Sequence, residues 1–146
     1  MRFGLNTFLY ASPFTNESVS MFKKLKKWGF DTVEIAIEDP AHVDPAFLKA
    51  AAANAGIAIG SVCAAMGPGR DFRGSAADQK TAQQYLTALV DQAAAMGCPR
   101  IIGPLYSVVG LIGSHDDKTK ALHFKLVVKN LKQLAKHAEK KGVLLC

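Results

Sequence analysis

Four features are scarce or missing in this sequence, and each absence narrows the reading. No apolar run approaches the ~18–20 residues that a membrane span requires, so no membrane-spanning helix is expected. Cysteine is sparse. Cys63, Cys98 and Cys146 are an odd number at wide spacing, which gives no disulfide framework and points to a reducing cytoplasm. Neither a CxxC nor an HExxH metal motif occurs, and no GxGxxG or Walker fingerprint marks a nucleotide-binding loop. Acidic residues are outnumbered, 12 against 18 Lys and Arg, for a formal net charge of +6. That charge permits nucleic-acid binding, but its distribution argues against a dedicated surface. Lys118, Lys120, Lys125, Lys129, Lys132, Lys136, Lys140 and Lys141 fall on one amphipathic segment, and Lys23, Lys24, Lys26 and Lys27 on another. Solvated helix faces, with cations favoured near C-terminal ends, account for them, and no nucleic-acid partner is expected. The opening MRFGLNTFLYASPF has a faint signal-peptide look, but Asn6 and Thr7 interrupt its apolar stretch and it fits a first strand better.

What is present is a phrase used four times. KKWGFDTVEIAI (26–37), AANAGIAIGSVC (52–63), AAMGCPRIIGPL (94–105) and the final EKKGVLLC (139–146) each join a helix end, a glycine and a Val/Ile/Leu-rich run. The glycines are Gly29, Gly56, Gly97 and Gly142, spaced 27, 41 and 45 residues apart. Glycine closes a helix in a left-handed turn at little cost, and a short apolar run suits a strand buried on both faces. The unequal spacings fit βα units with loops of different length rather than a solenoid.

The chain of 146 residues reads as one α/β domain over 1–146. Strands are expected at 3–8, 32–37, 57–63 and 100–106. Helices are expected from Asn16 to Gly29, from Asp44 as N-cap with Pro45 in the first turn to about Asn54, from Ala76 to Met96, and from about Lys118 to Lys141. The buried face of the last helix is expected to be Leu122, Leu126, Val127, Leu131, Leu134 and Ala138. Alternating strands and crossover helices imply a parallel sheet, either doubly wound or part of an eight-stranded barrel. Two details favour the barrel: the missing nucleotide fingerprint, and Glu34 in the middle of a strand. In alternation Glu34 and Ala36 face opposite to Val33, Ile35 and Ile37. A carboxylate aimed into a sealed helix–sheet interface is costly, whereas one aimed into a barrel near its mouth is tolerable. Asn6 and Phe8 share that inward phase. The fold expected is therefore half of a (β/α)8 TIM barrel, four βα units plus the start of a fifth strand, with EKKGVLLC marking where a longer protein was cut.

Ligands of parallel α/β folds meet the C-terminal ends of the strands. There CAAMGPGRDFRG offers glycines for close backbone approach, and Arg70 and Arg73 for an anion, against the plainer reading of a mobile loop with solvated arginines. Glu38 and Asp39 are a metal ligand or base, or simply part of the turn EDPAHVDP. Cys63 is expected to face a pocket as a structural thiol, with no histidine beside it. His42, His115, His123 and His137 show no ligand spacing.

FGLNTFLY, GFDTVEIAIEDP, the MGPGRDF loop, RIIGPLYS and LAKHAEKKGVLLC together resemble the N-terminal half of the D-tagatose/D-psicose 3-epimerase family. These are ketose 3-epimerases of the xylose-isomerase-like TIM-barrel superfamily. The resemblance extends, less specifically, to relatives such as hydroxypyruvate isomerase. It implies sugar isomerisation by proton transfer through an enediolate, assisted by Mn2+ or Co2+ in the full-length family member. It also implies that the metal ligands lie on strands 5 to 8, past Cys146, so this chain holds no metal or catalytic residue and is inactive alone. Substrate-binding positions carried over are Asn6, where an aromatic is frequent, Phe8, Phe14, Cys63, Gly67 and Leu105. Val108 and Val109 stand where the family often has a Trp. A ketose is the implied partner. Open sheet edges imply a homodimer or larger assembly, and a non-catalytic half-barrel that pairs with itself is the competing reading.

Overall fold

The computed structural model describes residues 1–111 and 113–146; Ile112, in the loop expected after strand 4, lies outside the described residues. Five strands, β1 (Gly4–Asn6), β2 (Thr32–Ile37), β3 (Ala58–Ala64), β4 (Arg100–Ile102) and β5 (Leu144–Leu145), alternate with four helices, α1 (Met21–Lys27), α2 (Pro45–Ala55), α3 (Ala76–Met96) and α4 (Asp117–Lys141). All neighbouring strands are parallel, in the order β1-β2-β3-β4-β5. A doubly wound sheet reverses its strand order at a switch point; this one does not, which is the order of a barrel wall. The closing phrase enters the sheet, because Leu144 and Leu145 pair with Arg100 and Ile101 of β4. Among the described residues no helix is long and apolar enough to cross a membrane.

Helix boundaries follow local chemistry. Asp44 accepts from the Ala46 and Phe47 N–H groups at the start of α2, whose first residue is Pro45. Ser75 and Asp78 cap α3 reciprocally. The glycines close α2, α3 and α4 in the left-handed region, with φ of 66°, 72° and 68°. The core fills the space between the helices and one face of the sheet, where Phe22, Val33, Ile35, Ile37, Leu48, Val62, Leu86, Leu89 and Ile101 have no solvent exposure.

Three expectations are corrected. The first strand stops at Asn6, not at Phe8. Asn6 Oδ1 accepts from the Phe8 N–H at 2.8 Å, and Thr7 Oγ1 accepts from the Ala36 N–H at 2.9 Å, so a side chain takes over where the ladder ends. The fourth strand stops at Ile102, because Gly103 adopts φ +119° and turns the chain away. Along α4, Leu122 is 55% exposed rather than buried, while Asn130, Leu134 and Ala138 are buried. The buried residues of α4 thus begin only at Asn130, in its second half.

One irregularity decides what faces the concave side. In the β2–β3 pairing, Val33 sits opposite Ile59 and Glu34 opposite Ser61, leaving Gly60 as a bulge. Without that extra residue Ser61 and Cys63 would share the helix-facing phase of Ile35 and Ile37. With it, Ser61 lies level with Glu34 and Cys63 with Ala36. A side chain at position 60 would sit 3.1 Å from Thr32 Cβ, which favours glycine there.

Candidate functional site

The C-terminal ends of β2 and β3 are joined by a side chain from α3. The Tyr85 hydroxyl donates to the Ile37 carbonyl at 2.5 Å and accepts from the Ala65 N–H at 2.7 Å. Burial pushes its phenol up to about 12, although the Ala65 N–H and the Arg70 charge oppose the shift. Arg70 sits over this tyrosine, its guanidinium carbon 4.0 Å from the ring centroid. Arg70 Nη1 donates to the Glu38 carbonyl at 2.7 Å and the Ala65 carbonyl at 3.2 Å. The Glu38 carboxylate accepts from Ser12 Oγ at 2.5 Å and from the Phe14 N–H at 3.0 Å. Two loops that leave adjacent strands are thereby tied together.

A second clamp holds the loop after β4. Asp71 pairs with Arg73 at 2.8 Å and accepts from the Val108 N–H at 3.2 Å, while the Val109 N–H donates to the Met66 carbonyl at 2.9 Å. Burial pushes the Asp71 carboxyl up, but the Arg73 guanidinium and the N–H groups of Arg73 and Val108 outweigh it, and the net shift is downward. Between these clamps opens a pocket of about 570 Å³ lined by Phe8, Glu38, Cys63, Met66, Gly67, Arg70, Pro104 and Val109, among others.

Beneath the pocket the concave face carries a polar layer. Asn6 Nδ2 donates to Glu34 Oε1 at 2.6 Å, and Ser61 Oγ donates to Glu34 Oε2 at 2.5 Å. Burial, and then the Glu34 charge, push the neighbouring Cys63 thiol up despite a hydrogen bond with Asn6. A thiol held protonated is a poor nucleophile, in keeping with a structural role.

Of the residues singled out in the sequence, Phe8, Cys63 and Gly67 line this pocket. Asn6 lies one layer below, on Glu34. Phe14 is 1% exposed and stacks on Phe22, and Leu105 is 7% exposed within the core, so both stand behind the pocket wall. Of the two arginines weighed between an anion site and a solvated loop, Arg73 pairs with Asp71 and Arg70 lines the pocket. Asp39 caps the short turn of residues 40–42. His115 and His123 pack edge to face, 4.8 Å between centroids, and His137 bonds to Asp91. Tyr85, the residue that splices the site, reads in the sequence as one more apolar position of α3; nothing in the spacing marks its hydroxyl. A larger groove of about 620 Å³ runs between α3 and α4, lined by Gln79, Gln83, Asp91 and Asn130, among others. It lies on the outer, helical side, away from the strand ends.

The donor set of this chain does not fit a divalent metal. Among the described residues no three His, Cys, Asp or Glu side chains converge. Glu34 and Glu38, the carboxylates of the concave face and the mouth, bond to Asn6 and Ser61 and to Ser12 and Phe14, and among the described residues neither is joined by two further His, Cys, Asp or Glu side chains.

Residues 22–146 match the model of a family described as xylose isomerase-like TIM barrel. Over 49 residues the chain is 37% identical to a probable ketose 3-epimerase of Synechocystis sp., a match covering 34% of this chain and 17% of that protein. In fold it is similar to an L-ribulose 3-epimerase (TM-score 0.85, 20% identity, 99% of this chain and 48% of that one). It is also similar to a D-allulose 3-epimerase from Methylomonas sp. (0.82, 21%, 99% and 50%) and a D-psicose 3-epimerase from Clostridium cellulolyticum H10 (0.80, 23%, 100% and 51%). The chain thus spans about half the length of these solved proteins.

Proposed function

The chain belongs to the xylose isomerase-like TIM barrel family, and from that premise we propose that it is the N-terminal half of a metal-dependent ketose 3-epimerase. The observation that carries the reading is the placement of the pocket. It sits at the C-terminal ends of a sequentially ordered parallel sheet, where barrel enzymes bind their substrates. The named activity of the curated relative supports the choice of reaction class. In this reading Phe8, Cys63 and Gly67 form part of the wall against which a ketose lies, with Phe14 and Leu105 supporting that wall and Asn6 bracing it through Glu34. Mn2+ or Co2+, bound by residues of the other half of the barrel, would polarise the substrate oxygens. The residues of this chain do not fit that metal.

Two arms test the reading. The chain alone with Mn2+ and D-fructose is expected to give no C3 epimer. Fused to the C-terminal half of the Clostridium epimerase, with metal bound, it is expected to give one. Turnover by the chain alone, or a folded and metal-loaded fusion without turnover, would refute the proposal. The same fusion offered hydroxypyruvate separates the epimerase from an isomerase of that smaller substrate.

A second reading is self-association. β1 and β5 each have a strand on one side only among the described residues, and Phe3 and Leu144 beside them are exposed, Leu144 at 62%. Unpaired edges invite a second copy. Light scattering behind a sizing column is expected to report a dimer or larger species; a monomer at high concentration removes this reading.

A further inference from the structure

We infer that Arg70 and Glu38 form a two-sided clamp for adjacent hydroxyls of an uncharged polyol, and that the pocket discriminates against phosphorylated ligands. Both side chains line the same pocket. They carry opposite charges, yet no ion pair joins them; the Glu38 carboxylate is held by Ser12 and Phe14, and Arg70 by backbone carbonyls. The carboxylate and the guanidinium are thus not in contact, and the position of each is set by other groups.

The chemistry of each side is complementary to a hydroxyl. Arg70 uses Nη1 for the Glu38 and Ala65 carbonyls, which leaves the Nε and Nη2 protons without a partner among the described residues. Glu38 oxygens each accept one bond and retain a lone pair. A hydroxyl both donates and accepts, so one hydroxyl can receive from Arg70 while its neighbour donates to Glu38. Both are charge-assisted bonds. Phe8, Pro104 and Val109 supply apolar surface for the C–H side of such a ligand.

Charge decides against an anion. The guanidinium already faces two carbonyl oxygens and the π face of Tyr85, and the acidic Glu38 lines the same pocket. A phosphate would meet a compensated cation and a nearby negative group. Preorganisation adds to the specificity: stacking on Tyr85 fixes the guanidinium before a ligand arrives, so little side-chain freedom is lost on binding.

This inference deepens the epimerase proposal and rests on it for the expectation that the ligand is a sugar, but its test reads binding and not turnover. The full chain, labelled with 15N, is titrated with D-fructose, D-fructose 6-phosphate and inorganic phosphate, following the Arg70 Nε–H signal and the amides of Ala65 and Gly67. D-fructose is expected to shift all three. The 6-phosphate is expected to bind about tenfold more weakly or worse, and inorganic phosphate to leave the signals in place. Arg70→Lys keeps the charge and removes the fork, and is expected to weaken D-fructose binding by about tenfold. Glu38→Gln is expected to weaken D-fructose and to let inorganic phosphate shift the Arg70 signal. Tighter binding of the phosphorylated sugar, or unmoved signals with wild-type chain at saturating D-fructose, overturns the clamp. Because the fusion assay reads turnover, a working epimerase with a silent Arg70 sinks the clamp alone. A responsive Arg70 with no epimerisation sinks the reaction assignment alone.

Discussion

Removing one oxygen atom, in Tyr85→Phe, separates the splice between β2 and β3 from ordinary packing. The ring is retained, so the core contact and most of the surface under Arg70 stay. What disappears is a hydroxyl that satisfies the Ile37 carbonyl at 2.5 Å and the Ala65 N–H at 2.7 Å. Leaving a buried polar group unpaired costs ~1–3 kcal/mol, so the two together amount to about 2–6 kcal/mol. That is a large share of the ~5–15 kcal/mol that a domain commonly has. Urea unfolding should show the loss as a lower midpoint with an unchanged slope. The same substitution has a pH signature. The Tyr85 phenol is raised to about 12 in the folded chain, against an unfolded value near ~10. A group raised on folding contributes its full stability below the unfolded value and loses it as pH rises toward the folded one. The wild-type advantage over Tyr85→Phe should therefore be constant to about pH 10 and shrink by roughly 1.4 kcal/mol per unit from there to about 12. A stability difference below ~0.5 kcal/mol near neutral pH would refute the splice. A difference that stays flat in alkali would refute its titration.

Asp71→Asn should cost about 1–3 kcal/mol at neutral pH, since a half-buried N–H and guanidinium lose a charged acceptor. Because the Asp71 carboxyl is lowered on folding, the wild-type advantage is present above ~4 and should fade as acid takes the pH down through the folded value, as read by denaturation at a series of pH values. Gly103→Ala is expected to destabilise by about 1–3 kcal/mol, as its φ is +119° and the new Cβ would sit 3.0 Å from the Ala64 carbonyl oxygen; thermal melts check it, and an unchanged Tm would count against the strained turn. Leu134→Ala should cost about 2–5 kcal/mol while Leu122→Ala stays within about 0.5 kcal/mol. Equal costs would contradict the face of α4 that the structure buries.

The repeated glycine phrase made the βα order legible because helix closure and strand entry are local events. Gly56, Gly97 and Gly142 take the left-handed turn whatever surrounds them, and β2 appears at its expected residues because TVEIAI has no competing turn signal. Glu34 was a sound pointer to the concave face for the same reason: alternation along one strand is local. The errors arose where a partner was needed. Nothing in RIIGPLY shows that Gly103 must turn away beneath Ala64, and nothing along α4 shows that burial begins only at Asn130.

The pocket was legible in outline and illegible in detail. Its position at the strand ends, with Phe8, Cys63 and Gly67, followed from chain order and from family resemblance. Phe14 and Leu105 turned out to stand behind its wall, since an aromatic or aliphatic residue in a loop gives no sign of which side it packs. The two arginines of GRDFR looked equivalent and are not: Asp71, two residues before Arg73, occupies it, while Arg70 finds Tyr85 from a helix fifteen residues further on.

By itself the sequence determined the kind and order of elements, through hydrophobic periodicity, caps and left-handed glycines, all of which act over a few residues. The tertiary structure alone decided the phase of β3, through the Gly60 bulge, and the identity of the groups that meet at the mouth. Those depend on hydrogen bonds between residues twenty to fifty positions apart, such as Tyr85 with Ile37 and Asn6 with Glu34, which no local pattern encodes.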